Sequence, residues 1–293
     1  MTAKIEPTKE QVRIWIENFI PIKDLFFVEE KDLAMLAEYL CEVLVVPREE
    51  FFNHSSYNQI QLVNSYMYWN ISAKAKFVIV AKPEWIINLP KQKQKDLLLV
   101  QYNMSRGLIL PLSLFSSCSS IPQEYIVEDE GEKFLVIQRD IWNKLSYRVK
   151  EVVILAYAQL WDEWFMYDCP EHIPIHITKY ANKFPTESGS NCLSATLFAI
   201  TEQDWIINEW VHPNTFLNGL ENANFTRIND EIKMGDIVIW VNDESIKHAA
   251  YHIGDNLFFN KNGQTLFNPW KITHLNKLNE EWSQYKMNIY RRR

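Results

Sequence analysis

The chain has 293 residues, 47% of them hydrophobic, enough for one large core or two modest ones, and its pattern suits two domains better. Its 37 acidic residues outweigh 30 basic ones for a formal net charge of −7, which argues against the basic face of a nucleic-acid binder. With 7 glycines and no Gly-rich phosphate loop, nucleotide-dependent chemistry and a bound cofactor are not expected either.

The segment from Met1 to Pro7 lacks the uninterrupted apolar run of a secretory signal, and no later stretch is long and charge-free enough to span a bilayer. A cytoplasmic protein without a membrane partner is the expectation. Four cysteines, Cys41, Cys118, Cys169 and Cys192, are irregularly spaced in a chain too large to need disulfide staples, which fits a reducing compartment.

Thr8 and Gln11 form a capping box that opens a first helix with an apolar face of Val12, Trp15, Ile16 and Phe19, stopped by Pro21. A second helical pattern runs from Lys31 to Val45 and ends at Pro47, with Cys41 as a small core residue. A third covers Tyr57 to Trp69. Phe77-Val78-Ile79-Val80 is β-branched and predicts a buried strand, and Pro83-Glu84-Trp85 opens another helix. Lys91 to Lys95 is a basic run, read as a solvated helix face. Leu108 to Phe115 is apolar, Ser116 to Ser120 with Cys118 reads as a loop, and Tyr125-Ile126-Val127 with Phe134-Leu135-Val136-Ile137 predicts a hairpin about Gly131. A long helix from Tyr147 to Tyr167 ends before Cys169-Pro170. The domain boundary is expected between 168 and 175, leaving 1–168 as a mixed, mostly helical accessory domain that docks a partner, covers a cleft or completes the core.

The stretch from Cys192 to Asn260 carries the chemistry. Ser188-Gly189-Ser190-Asn191 is turn and N-cap material, and Leu193, Ala195, Leu197, Phe198 and Ile200 continue as a helix with Cys192 in its first turn. The positive end of a helix favours a thiolate, so Cys192 is a candidate nucleophile. Ile237 to Trp240 and His248 to Ile253 read as adjacent strands, and the turn Gly254-Asp255-Asn256 returns the chain through Leu257 to Asn260. His248 is then the candidate base and Asn260 the group that orients it. His252 shares the face of His248 and is a second candidate base, and Asn260 doubles as a hairpin-end residue before Asn262-Gly263. Cys169, His172, His176 and Cys192 include metal-ligand types, but their spacing lacks the paired signature of a closed zinc site, and no metal is expected. The three arginines at 291–293 read as a solvated tail.

Tyr180, Cys192, Gly235-Asp236 with the strand Ile237 to Trp240, His248 with Gly254 six residues on, and Asn260 twelve after the histidine together resemble the NlpC-like cysteine peptidases of the papain-like superfamily, over about residues 175 to 275. The flank departs from the family: Asn191-Cys192-Leu193-Ser194 stands where it usually has Asp-Cys-Ser-Gly. The resemblance implies an α+β fold, an antiparallel sheet with the nucleophile helix packed on it, in a catalytic domain over 169–293. It implies a Cys192-His248-Asn260 triad that forms an acyl-enzyme thioester and hydrolyses a peptide or amide bond, with Tyr180 near the substrate carbonyl. Two alternatives stay open: an acyltransferase passing an acyl group from a thioester, such as one held on a carrier protein, to an amine, and an inactive peptide-binding protein on the same fold.

Overall fold

The computed structural model describes residues 2–115, 121–243 and 245–293, so the expected loop from Ser116 to Ser120, with Cys118, lies outside the described residues. The chain is α+β with antiparallel sheets, and it divides into two compact units. One unit is Val12–Ala158. The other joins Met1–Gln11 to Gln159–Arg293. The division therefore falls at 158/159 rather than between 168 and 175. The physical reason is a pairing at long range: Thr2–Lys4 runs antiparallel to Phe165–Tyr167, tying the first residues to the carboxy-terminal unit.

Within Val12–Ala158, Phe77–Ala81 is the centre of a three-stranded sheet flanked by Asp24–Val28 and Leu44–Pro47. The helix predicted from Lys31 to Val45 stops at Leu36, continues as a 3-10 turn over Ala37–Glu42, and gives way to strand because Val45 and Val46 pair with Ile79 and Val78. A second three-stranded sheet contains the predicted hairpin, Ile126–Asp129 paired with Glu132–Val136, and Ile109–Pro111 beside it. The pattern over Tyr57 to Trp69 yields a short helix, Ile60–Ser65, and a 3-10 turn at Tyr68–Asn70. Among the described residues no helix is long and apolar enough to cross a membrane.

In the carboxy-terminal unit the Thr8 and Gln11 box forms as read, with Thr8 N–H on Gln11 Oε1 at 2.8 Å and Gln11 N–H on Thr8 Oγ1 at 3.2 Å. The core is a six-stranded antiparallel sheet in the spatial order Trp270–His274, Leu257–Lys261, Ser245–Gly254, Ile237–Asn242, Lys286–Arg292, Phe225–Ile228. Alternation gives it two apolar faces. Ile237, Ile239, Ala249, Ile253, Phe259 and Ile272 meet the helix Cys192–Thr201 on one. Val238, Trp240, Ala250 and Phe258 meet Leu278 and Trp282 of the helix Leu275–Trp282 on the other. The helix Pro213–Asn222 packs beside the cysteine helix, where a Cβ at Gly219 would stand 2.8 Å from Leu197 Cδ2. The terminal arginines are no free tail: Arg291 forks onto Asp236 with two contacts of 2.8 Å, and Arg292 donates to Ile200 O at 2.8 Å. The long helix expected to reach Tyr167 ends at Ala158, since Phe165–Tyr167 is strand.

Candidate functional site

Asn191 caps the cysteine helix in a reciprocal box: its Oδ1 accepts from Ser194 N–H at 2.9 Å and Ser194 Oγ accepts from Asn191 N–H at 2.9 Å. The amide Nδ2 of Asn191 also donates to Val211 O at 2.8 Å, which fixes the turn ahead of Cys192. The Cys192 side chain is half-buried by surface area, yet its sulfur is closely surrounded by protein, and burial pushes the thiol up to about 11. Backbone N–H groups of Ala249, Leu193 and Cys192 itself point at the sulfur and favour the thiolate, without outweighing that burial. Ala249 is the residue after His248.

His248 is 1% exposed. Its ring stacks on Trp282 at 4.5 Å and 7°, and leans on Trp240 at 5.5 Å, so it projects from the face opposite the cysteine helix, while Ala249 packs with Leu193 and Leu197. Burial pulls its pKa down to about 3, and the Lys271 ammonium acts in the same direction. At neutral pH both imidazole and thiol are therefore neutral. The strands beside His248 bring Asn260 to it as expected: the Asn260 amide nitrogen lies 3.3 Å from His248 Nε2. Asn260 Oδ1, fully buried, has no partner among the described residues. A half-turn of that amide sets Oδ1 to accept from Nε2–H, satisfying the orphan oxygen and leaving the Nδ1 lone pair as the basic atom.

Cys192 and His248 are thus placed on adjoining backbone but share no hydrogen bond among the described residues. His252 lies on the face of His248, stacked on Phe258 at 4.8 Å, and neither ring nitrogen has a partner among the described residues. Tyr180 is not brought to the sulfur. Its ring packs on Phe198, nearly two turns along the helix from Cys192, and on Trp270, and its hydroxyl bonds with the Lys179 and Asp204 side chains. His172 and His176 each put Nε2 on a backbone carbonyl, Ile253 O at 3.1 Å and Ala199 O at 3.0 Å, and Cys169 is exposed.

No family model matches the chain, and neither a curated protein nor a solved structure matches it.

Three groups that the sequence reading missed adjoin the site. Trp282 supplies the stack on His248. Lys271, 2% exposed, holds Asp162 at 2.7 Å and the Glu163 carbonyl at 3.0 Å, and faces the same side as His248 through its pairing with Asn260. Lys261, fully buried, donates to Gly263 O at 3.1 Å and Thr265 O at 3.2 Å. The signal for Lys261 was the period of its strand, since Leu257, Phe259 and Lys261 share one face.

Proposed function

We propose that the carboxy-terminal unit is a cysteine-dependent acyl-transfer enzyme, NlpC-like on a papain-like fold, that hydrolyses a peptide or amide bond. One observation carries this reading: Asn260 sits 3.3 Å from His248, next to the strand residue whose N–H points at the sulfur of a helix-opening cysteine. His248 Nδ1 takes the thiol proton as Cys192 Sγ forms a bond to the carbonyl carbon, and returns it to the leaving amine as the C–N bond breaks. Asn260 holds the ring. The N–H groups at the start of the helix bind the oxyanion, a contribution of about 3 kcal/mol for a well-placed donor. Water then cleaves the thioester, releasing the acid and restoring the thiol. Catalytic hydrogen bonds often tighten only when substrate enters; because His248 and Ala249 point to opposite faces of one strand, bringing Nδ1 to the sulfur requires a backbone shift of that strand as well as release of the ring from Trp282.

The half-buried sulfur, whose pKa is raised by the protein packed round it, supports a second reading, transfer of the acyl group to an amine, because a thioester with restricted access to water persists until an acceptor arrives. Intact-protein mass spectrometry with a panel of peptides and acyl thioesters tests both. An acyl adduct on wild type, absent from Cys192→Ala and at least 100-fold slower to form in His248→Ala, is expected. Decay in water alone assigns hydrolysis, and persistence until an amine is added assigns transfer. An adduct that survives Cys192→Ala overturns the proposal.

A further inference from the structure

Lys261 ends the strand Leu257–Lys261 and is fully buried. Two residues before it, Phe259 packs against Ala195 and Phe198, so alternation sends the Lys261 side chain to the face covered by the cysteine helix. Tyr251 pairs with Phe259, and Ala249 and Lys261 lie two residues beyond that pair on their own strands, on the face of the cysteine helix. Ala249 is also the residue whose N–H meets the Cys192 sulfur. Nucleophile, backbone donor and lysine therefore converge at one end of the sheet.

The hydrogen bonds of the ammonium are incomplete. Two of its three N–H groups reach Gly263 O and Thr265 O, and no third partner exists among the described residues. Its pKa is pulled down to about 7 by burial, and the charges that support the ammonium are Asp162 and a Cys192 thiolate. Lys261 is in turn the cation that favours the thiolate, whereas His248 stacks on Trp282 across the sheet. The other titratable groups nearby are committed elsewhere. Lys271 is paired with Asp162, and Glu281 accepts from Asn262 on the face of His248.

We infer that Lys261 is a positioning residue for Cys192: its ammonium is the counter-charge that favours an ionised sulfur in the resting protein, while His248 takes the thiol proton only in the acyl-transfer step. The inference rests on the reading of Cys192 as nucleophile, but its test does not need a substrate. Alkylation of Cys192 by iodoacetamide, followed in the full-length protein by peptide mass spectrometry from pH 6 to 10, reports the thiolate alone. Lys261→Met should slow alkylation at least 10-fold at pH 6 to 7, where the lysine carries its charge, and move its inflection upward. Lys261→Arg, whose charge persists throughout, should keep the rate at or above that of wild type and move the inflection downward. His248→Asn should change the profile less than twofold. Circular dichroism confirms folding of each variant, and if Lys261→Met does not fold, the shift in Lys261→Arg decides. Wild-type profiles in both lysine variants, or a tenfold loss on His248→Asn, overturn the inference. A confirmed shift without any acyl adduct in the mass-spectrometry experiment would sink the enzymatic reading while leaving this coupling in place.

Discussion

Each unit buries a cation, and the two cations fare differently. In Val12–Ala158, Arg106 is 2% exposed and donates to Gly107 O at 3.1 Å, Leu25 O at 3.2 Å, Gln138 Oε1 at 3.3 Å and Ile137 O at 2.8 Å. Its guanidinium fork matches acceptors from three separate segments, and a guanidinium stays charged in a folded protein. In the carboxy-terminal unit, His248 and Cys192 are driven neutral, and among the described residues Lys261 retains an unused N–H and Asn260 Oδ1 and Asp162 Oδ2 have no partner. Arg106 spreads four of its five N–H groups over its acceptors and Lys261 uses two of three, while among the described residues both surroundings keep orphan polar atoms, Asp24 Oδ2 and Gln138 Nε2 beside Arg106 and Asn260 Oδ1 and Asp162 Oδ2 in the other unit. Equal burial therefore acts differently on the two cations: a guanidinium keeps its charge, whereas burial pulls the lysine pKa down to about 7.

The largest expected effect breaks the structural half of that contrast. Arg106→Met leaves the carbonyls of Leu25, Gly107 and Ile137 without their donor and removes the cation that favours ionised Asp24. A loss of about 3–5 kcal/mol is expected by urea unfolding, and a loss under about 1 kcal/mol would show that Arg106 is not structural.

Asp24 sharpens the same contrast. It is 1% exposed and accepts from Arg139 N–H at 3.0 Å through Oδ1, and its Oδ2 has no partner among the described residues. Burial raises its pKa from 3.8 to about 6, so between those values the folded chain holds a proton that the unfolded chain has released. Stability from this group is full below pH 4, falls as pH rises to 6, and stays low above it, a span of about 3 kcal/mol. Asp24→Asn, which keeps the acceptor for Arg139, should stabilise the protein by about that much at pH 7 and by far less at pH 4. Equal stability of the two proteins at both pH values would mean that Asp24 carries no burial strain.

The smallest effect concerns the cysteine helix. Asn191→Ala removes the cap on Ser194 N–H and should cost about 1 kcal/mol in thermal or urea unfolding. The same substitution frees the turn before Cys192, so its alkylation rate should change with it; an unchanged melt and rate would show that the cap does not fix the nucleophile.

Much of the carboxy-terminal unit was legible because its signals are local. Asn191 reads as a cap, the apolar run after Cys192 reads as a helix, and Gly254-Asp255-Asn256 between two β-branched runs reads as a hairpin that returns Asn260 to His248. Strand period also puts His248, His252 and Asn260 on one face. Which face the cysteine helix covers was not legible, because that is settled by packing between segments about fifty residues apart, Leu193 and Leu197 on Ala249. Buried lysines were hidden for a similar reason: Lys271 reads as a surface residue until Asp162, 109 positions away, is found against it. The helix that stops at Ala158 failed to announce its end because Leu160 and Trp161 prolong the apolar pattern, while a distant partner claims Phe165–Tyr167 for a sheet.

That partner is the strand Thr2–Lys4, and the pairing makes Val12–Ala158 an insertion within the carboxy-terminal unit. During synthesis the strand leaves the ribosome roughly 160 residues ahead of its mate, which at about 5–20 residues per second is a wait on the order of ten seconds. In that interval the inserted unit can fold, shortening the span across which the two strands must meet and easing the entropy of closing so long a loop. A fragment beginning at residue 159 lacks this partner and bears Phe165–Tyr167 as an open edge, the kind of surface through which one chain recruits another into aggregates.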